Sequence, residues 1–220
     1  MSQRTKSSSL KSETTKIIDC KVTLLGDSGV GKSSLIGRYI SGIFTNGIIS
    51  TTGANYSQKV IKKHDKIIRL DLWDTAGQEA YRAIGRHFYK ESYIVCLVYD
   101  ITNEKSFNNL KEIWYKELME YGEEVKIVAI VGNKADLYLN EKVKEEQGRS
   151  FAKEKNAIFA LTSAKTGDGI EELFADLLKK YFEENIPELL VEVKKEKKND
   201  KNIKINDVKV EENKGKKKKC

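Results

Sequence analysis

The sequence predicts an α/β fold: a six-stranded, mostly parallel sheet with one antiparallel strand paired through a hairpin, and about five helices on both faces. Two observations predict it. Apolar runs of strand length alternate with amphipathic stretches of helix length, the order that lays a parallel sheet between helical layers. Several of those runs, such as YIVCLVYD and KIVAIVG, are apolar throughout, which suits strands buried on both faces.

The strand candidates are Lys21–Leu25, Tyr56–His64, Lys66–Trp73, Tyr93–Tyr99, Lys126–Val131 and Ala157–Leu161. A short polar turn around His64-Asp65 joins the second to the third, so these two should pair antiparallel. Helical patterns fall near Lys32–Ser41, Ala80–Tyr89, Glu104–Tyr121, Glu141–Lys155 and Ile170–Glu183. In such sheets ligands bind beyond the carboxyl ends of the strands. The segments just after each strand are therefore where chemistry is expected.

Three zones differ in composition. Residues 1–17 are rich in Ser, Thr and Lys and are expected to be a disordered extension. Residues 18–183 carry the alternating pattern and form the folded domain. Residues 184–220 are rich in Lys, Glu and Asn, begin near the only proline, Pro187, and are expected to be a flexible basic tail.

The bulk numbers exclude several classes. A chain of 220 residues can bury a core of ordinary size. No run approaches the ~20 apolar residues of a membrane span, and the polar N-terminus lacks the apolar core of a signal peptide. A cytoplasmic setting is the expectation. Cys20 and Cys96 lie in apolar runs and read as core thiols, and with Cys220 they make neither a disulfide framework nor a zinc spacing. The net charge of +7 owes much to KKEKKNDKNIK and the terminal KKKK. No aromatic-laced basic patch accompanies it, so the tail suits a membrane surface rather than nucleic acid.

Residues 26–34 read GDSGVGKSS, the form G-x-x-x-x-G-K-[ST] between a strand and a helix. Gly26, Gly29 and Gly31 let the backbone fold tightly with its N–H groups inward, so that Asp27, Ser28, Val30 and Ser34 frame phosphate oxygens along with them. The following helix adds the positive end of its dipole. Lys32 is placed to reach the β- and γ-phosphates and the Ser33 hydroxyl to ligate Mg²⁺. This names a phosphate loop but not the nucleotide. Residues 73–79, WDTAGQE, follow a strand directly. Asp74 suits support of a magnesium water shell, Gly77 can offer its N–H to the γ-phosphate, and the Gln78 amide can orient an attacking water.

GDSGVGKSS, WDTAGQE, NKAD (133–136) and SAK (163–165), in this order, resemble the guanine-nucleotide boxes of Ras-superfamily GTPases. The likeness covers about residues 18–183 and implies a P-loop GTPase fold, bound GTP or GDP, and Mg²⁺. In that family a threonine 19 residues beyond the phosphate-loop lysine ligates the metal and senses the γ-phosphate; the matching position is Thr51, with Thr52 beside it as the plain alternative.

The base is read from NKAD. A carboxylate only accepts, so Asp136 can take hydrogen bonds from the guanine N1–H and 2-amino group. Adenine would leave that charge unpaired, at a cost exceeding what a neutral bond is worth. The resemblance further implies that Asn133 faces N7, that the Lys134 stem covers one face of the base, and that Phe44 packs from the other side, unless Phe44 is a simple core aromatic. It places the Ala164 N–H at the guanine O6, with Ser163 and Lys165 buttressing the loop.

Within the superfamily the chain resembles the Rab family. LVYDIT (97–102) matches its pattern fully, and TTGANY, RLDLW, AYRAI and FYKES match in part. Tyr56, Trp73 and Phe88 fall where Rab proteins carry partner-reading aromatics, although hairpin packing explains such residues equally. Departures are Ala54 and Asn55 in place of an apolar residue and an acid, Ile48 in place of an aromatic, and Ala80 in place of a basic residue; they bear on partner choice. The resemblance implies a monomeric GTP/GDP switch in vesicle trafficking that hydrolyses GTP through Gln78, Lys32 and Thr51 and recruits effectors in the GTP state. An exchange factor, an activating protein and an escort or GDP-dissociation-inhibitor type chaperone serve it as it cycles onto the cytosolic face of endomembranes. A non-hydrolysing scaffold with decayed switches is the rival reading.

The chain ends GKKKKC, without the three further residues of a C-a-a-X box. Prenylation of Cys220 is the expectation. One lipid chain holds only marginally, and four neighbouring lysines would add roughly 1 kcal/mol each on an anionic leaflet.

Overall fold

The computed structural model describes residues 16–45, 51, 53–63, 66–75 and 90–187. The chain divides into two compact units, residues 1–180 and 181–220. In the first, β1 (Lys16–Leu25) leads to α1 (Lys32–Ser41), followed by β2 (Ala54–Lys63) and β3 (Lys66–Thr75). Then come β4 (Ile94–Asp100), α2 (Glu104–Asn109), a π-helical segment (Leu110–Trp114) that runs on into α3 (Tyr115–Tyr121), and β5 (Ile127–Asn133). A 3-10 helix (Ala135–Asn140), α4 (Glu145–Glu154), β6 (Ile158–Leu161) and α5 (Ile170–Asn185) complete the order.

The six strands form one sheet in the order β2-β3-β1-β4-β5-β6. Only β2 runs antiparallel to its neighbour; β1 with β3, β1 with β4, β4 with β5 and β5 with β6 are parallel. All seven residues of β4 are buried, so both faces of the sheet are covered there. At β3 the pattern alternates, with Ile68, Leu70 and Leu72 buried and Ile67, Arg69 and Asp71 half-buried. That end of the sheet has one wetter face, as an antiparallel edge pair permits. Tyr56 leans on Trp73 across the hairpin at 5.3 Å between ring centroids and donates to Asp71 at 2.7 Å.

The central β1 lies between β3 and β4: the chain leaves it for β2 and β3 on one side, then crosses from β3 to β4 on the other. The crevice where the winding reverses is where such sheets hold ligands, and the loop after β1 opens there.

Most boundaries shift by one or two residues from the sequence expectation, and three of the shifts have an evident cause. β1 starts at Lys16, so the last residues assigned to the N-terminal extension pair with β3, Lys16 opposite Lys66 and Ile17 opposite Ile67. The reason is register, because the hairpin supplies a ladder reaching past Lys21. The helix expected from Glu141 starts at Glu145 instead: the Lys142 and Val143 N–H groups donate to the Ile101 carbonyl, which holds that stretch extended, and the Gln147 side chain caps the Lys144 N–H. The last helix reaches Asn185, two residues into the expected tail, since no breaker precedes Pro187. In the second unit, the Asn185 amide donates to the Tyr181 carbonyl at 2.9 Å. The expected helix Ala80–Tyr89, Ile48, Thr52, Gly77, Gln78, Phe88 and Cys220 lie outside the described residues.

Candidate functional site

The described residues assigned to nucleotide or metal in the sequence lie at or beyond the carboxyl end of a strand, at the start of α1, or on the loop leading to β2. Residues 26–31 leave β1, Asp74 is the last residue but one of β3, Asn133 ends β5, and Ser163, Ala164 and Lys165 follow β6. Parallel pairing brings these ends side by side.

The loop 26–31 is built by its glycines. Gly31 has φ +99°, a left-handed conformation that side chains resist, and a Cβ there would run into the Asn133 side-chain amide. Val30 is buried while Ser28 and Gly29 are exposed, and Ser34 lies half-buried on the first turn of α1. Lys32 is only 5% exposed. Its ammonium curls back over the loop, donating to the Gly26 carbonyl at 2.8 Å and the Asp27 carbonyl at 3.0 Å. Burial lowers its pKa to about 8, against the pull of the Asp74 and Asp27 charges.

Three residues from distant parts of the chain meet beside it. Ser33 Oγ donates to Asp74 Oδ2 at 2.6 Å, Thr51 Oγ1 donates to the same oxygen at 3.0 Å, and the two hydroxyls are 3.0 Å apart. The other carboxylate oxygen, Asp74 Oδ1, is buried without a hydrogen-bond partner among the described residues. A buried, unpaired anionic oxygen is costly unless a donor or cation meets it. Thr75 Oγ1 donates to the Leu24 carbonyl at 2.7 Å, tying the end of β3 to β1.

A second cluster forms around β5 and β6. Asn133, 1% exposed, is a strut: its amide donates to the Val30 carbonyl at 2.8 Å, and its Oδ1 accepts from the Thr162 hydroxyl at 3.2 Å and the Ala164 N–H at 3.4 Å. One side chain thus joins the loop after β1 to the loop after β6. Lys134 adopts a left-handed φ of 66°, and its ammonium meets Asp100 Oδ2 at 2.7 Å. The other Asp100 oxygen takes the Thr102 N–H and hydroxyl at 2.8 and 2.7 Å. The Asp136 side chain, 13% exposed, accepts from the Ser163 hydroxyl at 2.7 Å, with the Lys165 ammonium 3.9 Å from its other oxygen. Phe44 lies half-buried in the irregular segment after α1.

Sequence reasoning missed Asp100 and Arg38. Asp100 fixes the Lys134 stem, and the only signal was an acid at the end of a wholly apolar strand. Arg38 on α1 donates to the Thr166 carbonyl at 2.8 Å and so steadies the loop carrying Ser163–Lys165. Its place on a helix gave no signal at all.

Comparison with known proteins agrees with this architecture. A model of the Ras family matches residues 21–183. Over 159 residues the chain is 42% identical to the Ras-related protein Rab-22A of Homo sapiens, spanning 72% of this chain and 81% of that one. It is 37% identical over 168 residues to the Ras-related protein Rab5A of Oryza sativa subsp. japonica, 76% of this chain and 82% of that one. It is also 37% identical over 170 residues to the Ras-related protein SEC4 of Candida albicans, 76% of this chain and 80% of that one. The chain therefore belongs to the Ras family, as a Rab-like small GTPase.

Proposed function

We propose that the loops after β1, β3, β5 and β6 form one guanine-nucleotide pocket, with each residue in the role given below. As a Rab-like GTPase the chain binds guanine nucleotide, hydrolyses GTP and acts in vesicle trafficking on the cytosolic faces of endomembranes, regulated by exchange factors, activating proteins and effectors.

The observation that carries the residue assignment is the convergence of the Ser33 and Thr51 hydroxyls on one oxygen of Asp74, whose other oxygen is buried without a partner among the described residues. Two hydroxyls and a carboxylate fit a small hard cation, which takes oxygen ligands. Ser33 and Thr51 would hold Mg²⁺ directly and Asp74 its water shell. An ion held there would supply positive charge to offset the negative charge that develops on the phosphate oxygens during transfer.

The backbone N–H groups of 27–34 cradle the phosphates. Lys32, released from the Gly26 and Asp27 carbonyls, turns its ammonium to the β- and γ-phosphate oxygens. Asp136 accepts from the guanine N1–H and 2-amino group, held in aim by Ser163. The Lys134 stem, anchored by Asp100, covers one face of the base and Phe44 packs from the other side. The Ala164 N–H serves the guanine O6, and Asn133 ties base loop to phosphate loop while facing N7. Gln78 orients the attacking water, and Thr51 and Gly77 sense the γ-phosphate. Loss of that phosphate lets the two switch segments, about residues 43–56 and 75–90, relax. The sequence offers no obvious internal arginine finger, so hydrolysis alone is slow. An activating protein supplying one would speed it by about 10³–10⁵-fold, the range established for this superfamily.

The tail reading is part of the same proposal. A prenyl group on Cys220 and the adjacent lysines attach the monomer to the cytosolic leaflet, and an escort or GDP-dissociation-inhibitor type chaperone lifts it off. Chromatography of nucleotides released from the purified chain, with single-turnover GTP hydrolysis of wild type and Gln78→Leu, tests the core. Retained guanine nucleotide and a variant locked in the GTP state are expected. A chain that took up no GDP or GTP in the presence of magnesium refutes the pocket.

A further inference from the structure

The Asp27 carboxylate points away from the space assigned to the phosphates. One of its oxygens accepts from Trp114 Nε1 at 2.8 Å and the other from Asn109 Nδ2 at 2.7 Å. Both oxygens are thus filled by neutral donors from one helix, 82 and 87 residues further along the chain. Hydrogen bonds to an ionised acceptor are among the stronger ones available to a side chain.

The donors are five residues apart. At 3.6 residues per turn, positions five apart on an α-helix diverge by roughly 140° and cannot grip a single carboxylate. Between Asn109 and Trp114, however, the helix is π-helical, and the Tyr115 N–H reaches the Leu110 carbonyl five residues back. That widened turn brings residues five apart nearly one above the other. The irregularity therefore has a definite product, a two-pronged clamp on the second residue of the phosphate loop.

The clamp is anchored at its far end. Trp114 is buried, as are Leu110 and Phe107, in the core shared with Leu97, Tyr99 and Ile130. At its near end the Asp27 carbonyl takes the Lys32 ammonium. A rigid chain of contacts thus runs from the hydrophobic core through the π turn to the lysine that serves the phosphates.

We infer that Asn109 and Trp114 are positioning residues for the nucleotide: by fixing Asp27 they hold the phosphate loop in its binding shape and lengthen the stay of bound GDP. This rests on the phosphate-loop reading given above. Trp114→Phe keeps the ring in the core and removes only the N–H, and Asn109→Ala removes the other prong at a half-buried site. Release of a fluorescent GDP analogue, measured by stopped flow in magnesium, should accelerate on the order of tenfold in each, equivalent to 1.4 kcal/mol. In an Asp27→Asn background the Trp114→Phe change should add less than it does alone, because the two act through one contact. Leu118→Val, which thins the packing of the same helix without touching Asp27, should lower the melting temperature and leave release unchanged.

Wild-type release rates in both clamp variants would overturn the inference. So would effects that add fully to Asp27→Asn, or equal acceleration by Leu118→Val. Wild-type protein that failed to hold the analogue at all would end the phosphate-loop reading instead.

Discussion

Gly31→Ala and Gly29→Ala are two substitutions of the same kind, two positions apart in the chain, that differ in effect through their neighbours. Both glycines have positive φ, +99° and +79°, so alanine at either costs about 1–2 kcal/mol of backbone strain. They differ in what the new methyl would meet. At Gly29 nothing among the described residues lies within 4 Å. At Gly31 the methyl would collide with the Asn133 amide nitrogen, which is itself bonded to the Val30 carbonyl at 2.8 Å. Asn133 has to move, and breaking that buried bond adds about 1–3 kcal/mol. With roughly 2–4 °C of melting temperature per kcal/mol for a domain of this size, Gly31→Ala should melt roughly 5 °C below Gly29→Ala. Differential scanning fluorimetry of the two nucleotide-free variants, side by side, reads the difference. Because Asn133 also supports the loop after β6, base affinity should fall with stability only in Gly31→Ala. Equal melting of the two variants would refute the claim that Asn133 braces the phosphate loop.

Other outcomes follow from single contacts. Asp136→Asn replaces a pure acceptor by a group that is half donor, so GTP affinity should drop by about 10²-fold or more, two charge-assisted bonds being at stake; xanthine nucleotides should gain in competition assays, and unchanged GTP affinity would refute the base assignment. Tyr99 carries a buried hydroxyl with no hydrogen-bond partner among the described residues. Tyr99→Phe should therefore raise stability by about 1 kcal/mol, read by urea denaturation, and a loss would show that the hydroxyl is paired. Burial lowers Lys32 to about 8 in the nucleotide-free chain, so below that pH the lysine is already charged and binding takes up little proton. Above it, binding must first protonate the amine, so calorimetry in buffers of different ionisation heat should show proton uptake growing from pH 7 to 8.5. The folding linkage has the matching sign. The unfolded lysine keeps its proton up to about 10.5 while the buried one has lost it, so nucleotide-free stability rises through that window.

The strand set was legible because burial on both faces leaves an unbroken apolar run. Ile94–Asp100 and Ile127–Asn133 are such runs, and their ends locate the site. The glycine pattern of 26–31 was legible too, since few residues tolerate that backbone. The π turn was not. One extra residue in a helical stretch leaves the apolar spacing around it nearly unchanged, and only the contacts of Asn109 and Trp114 reveal it. The partnership of Asp100 with Lys134 spans 34 positions of sequence and leaves no local mark. The early start of β1 was hidden because Lys16 and Asp19 interrupt the apolar run, whereas Arg69 on the neighbouring strand pairs with Asp19 at 2.6 Å.

The β2–β3 ladder carries a consequence for how length can vary here. Its ten residue pairs run from Ala54 opposite Thr75 to Lys63 opposite Lys66. At about 3.3 Å per residue the two extremities stand roughly 30 Å apart. Extra residues spliced in past Lys63 would dangle far from Thr51 and Asp74 and disturb neither. One residue removed between Thr51 and Ala54 would drag the threonine off its carboxylate or turn the whole strand over, exchanging its wet side for its dry one. The same hairpin is thus open to editing at one tip and frozen at the other.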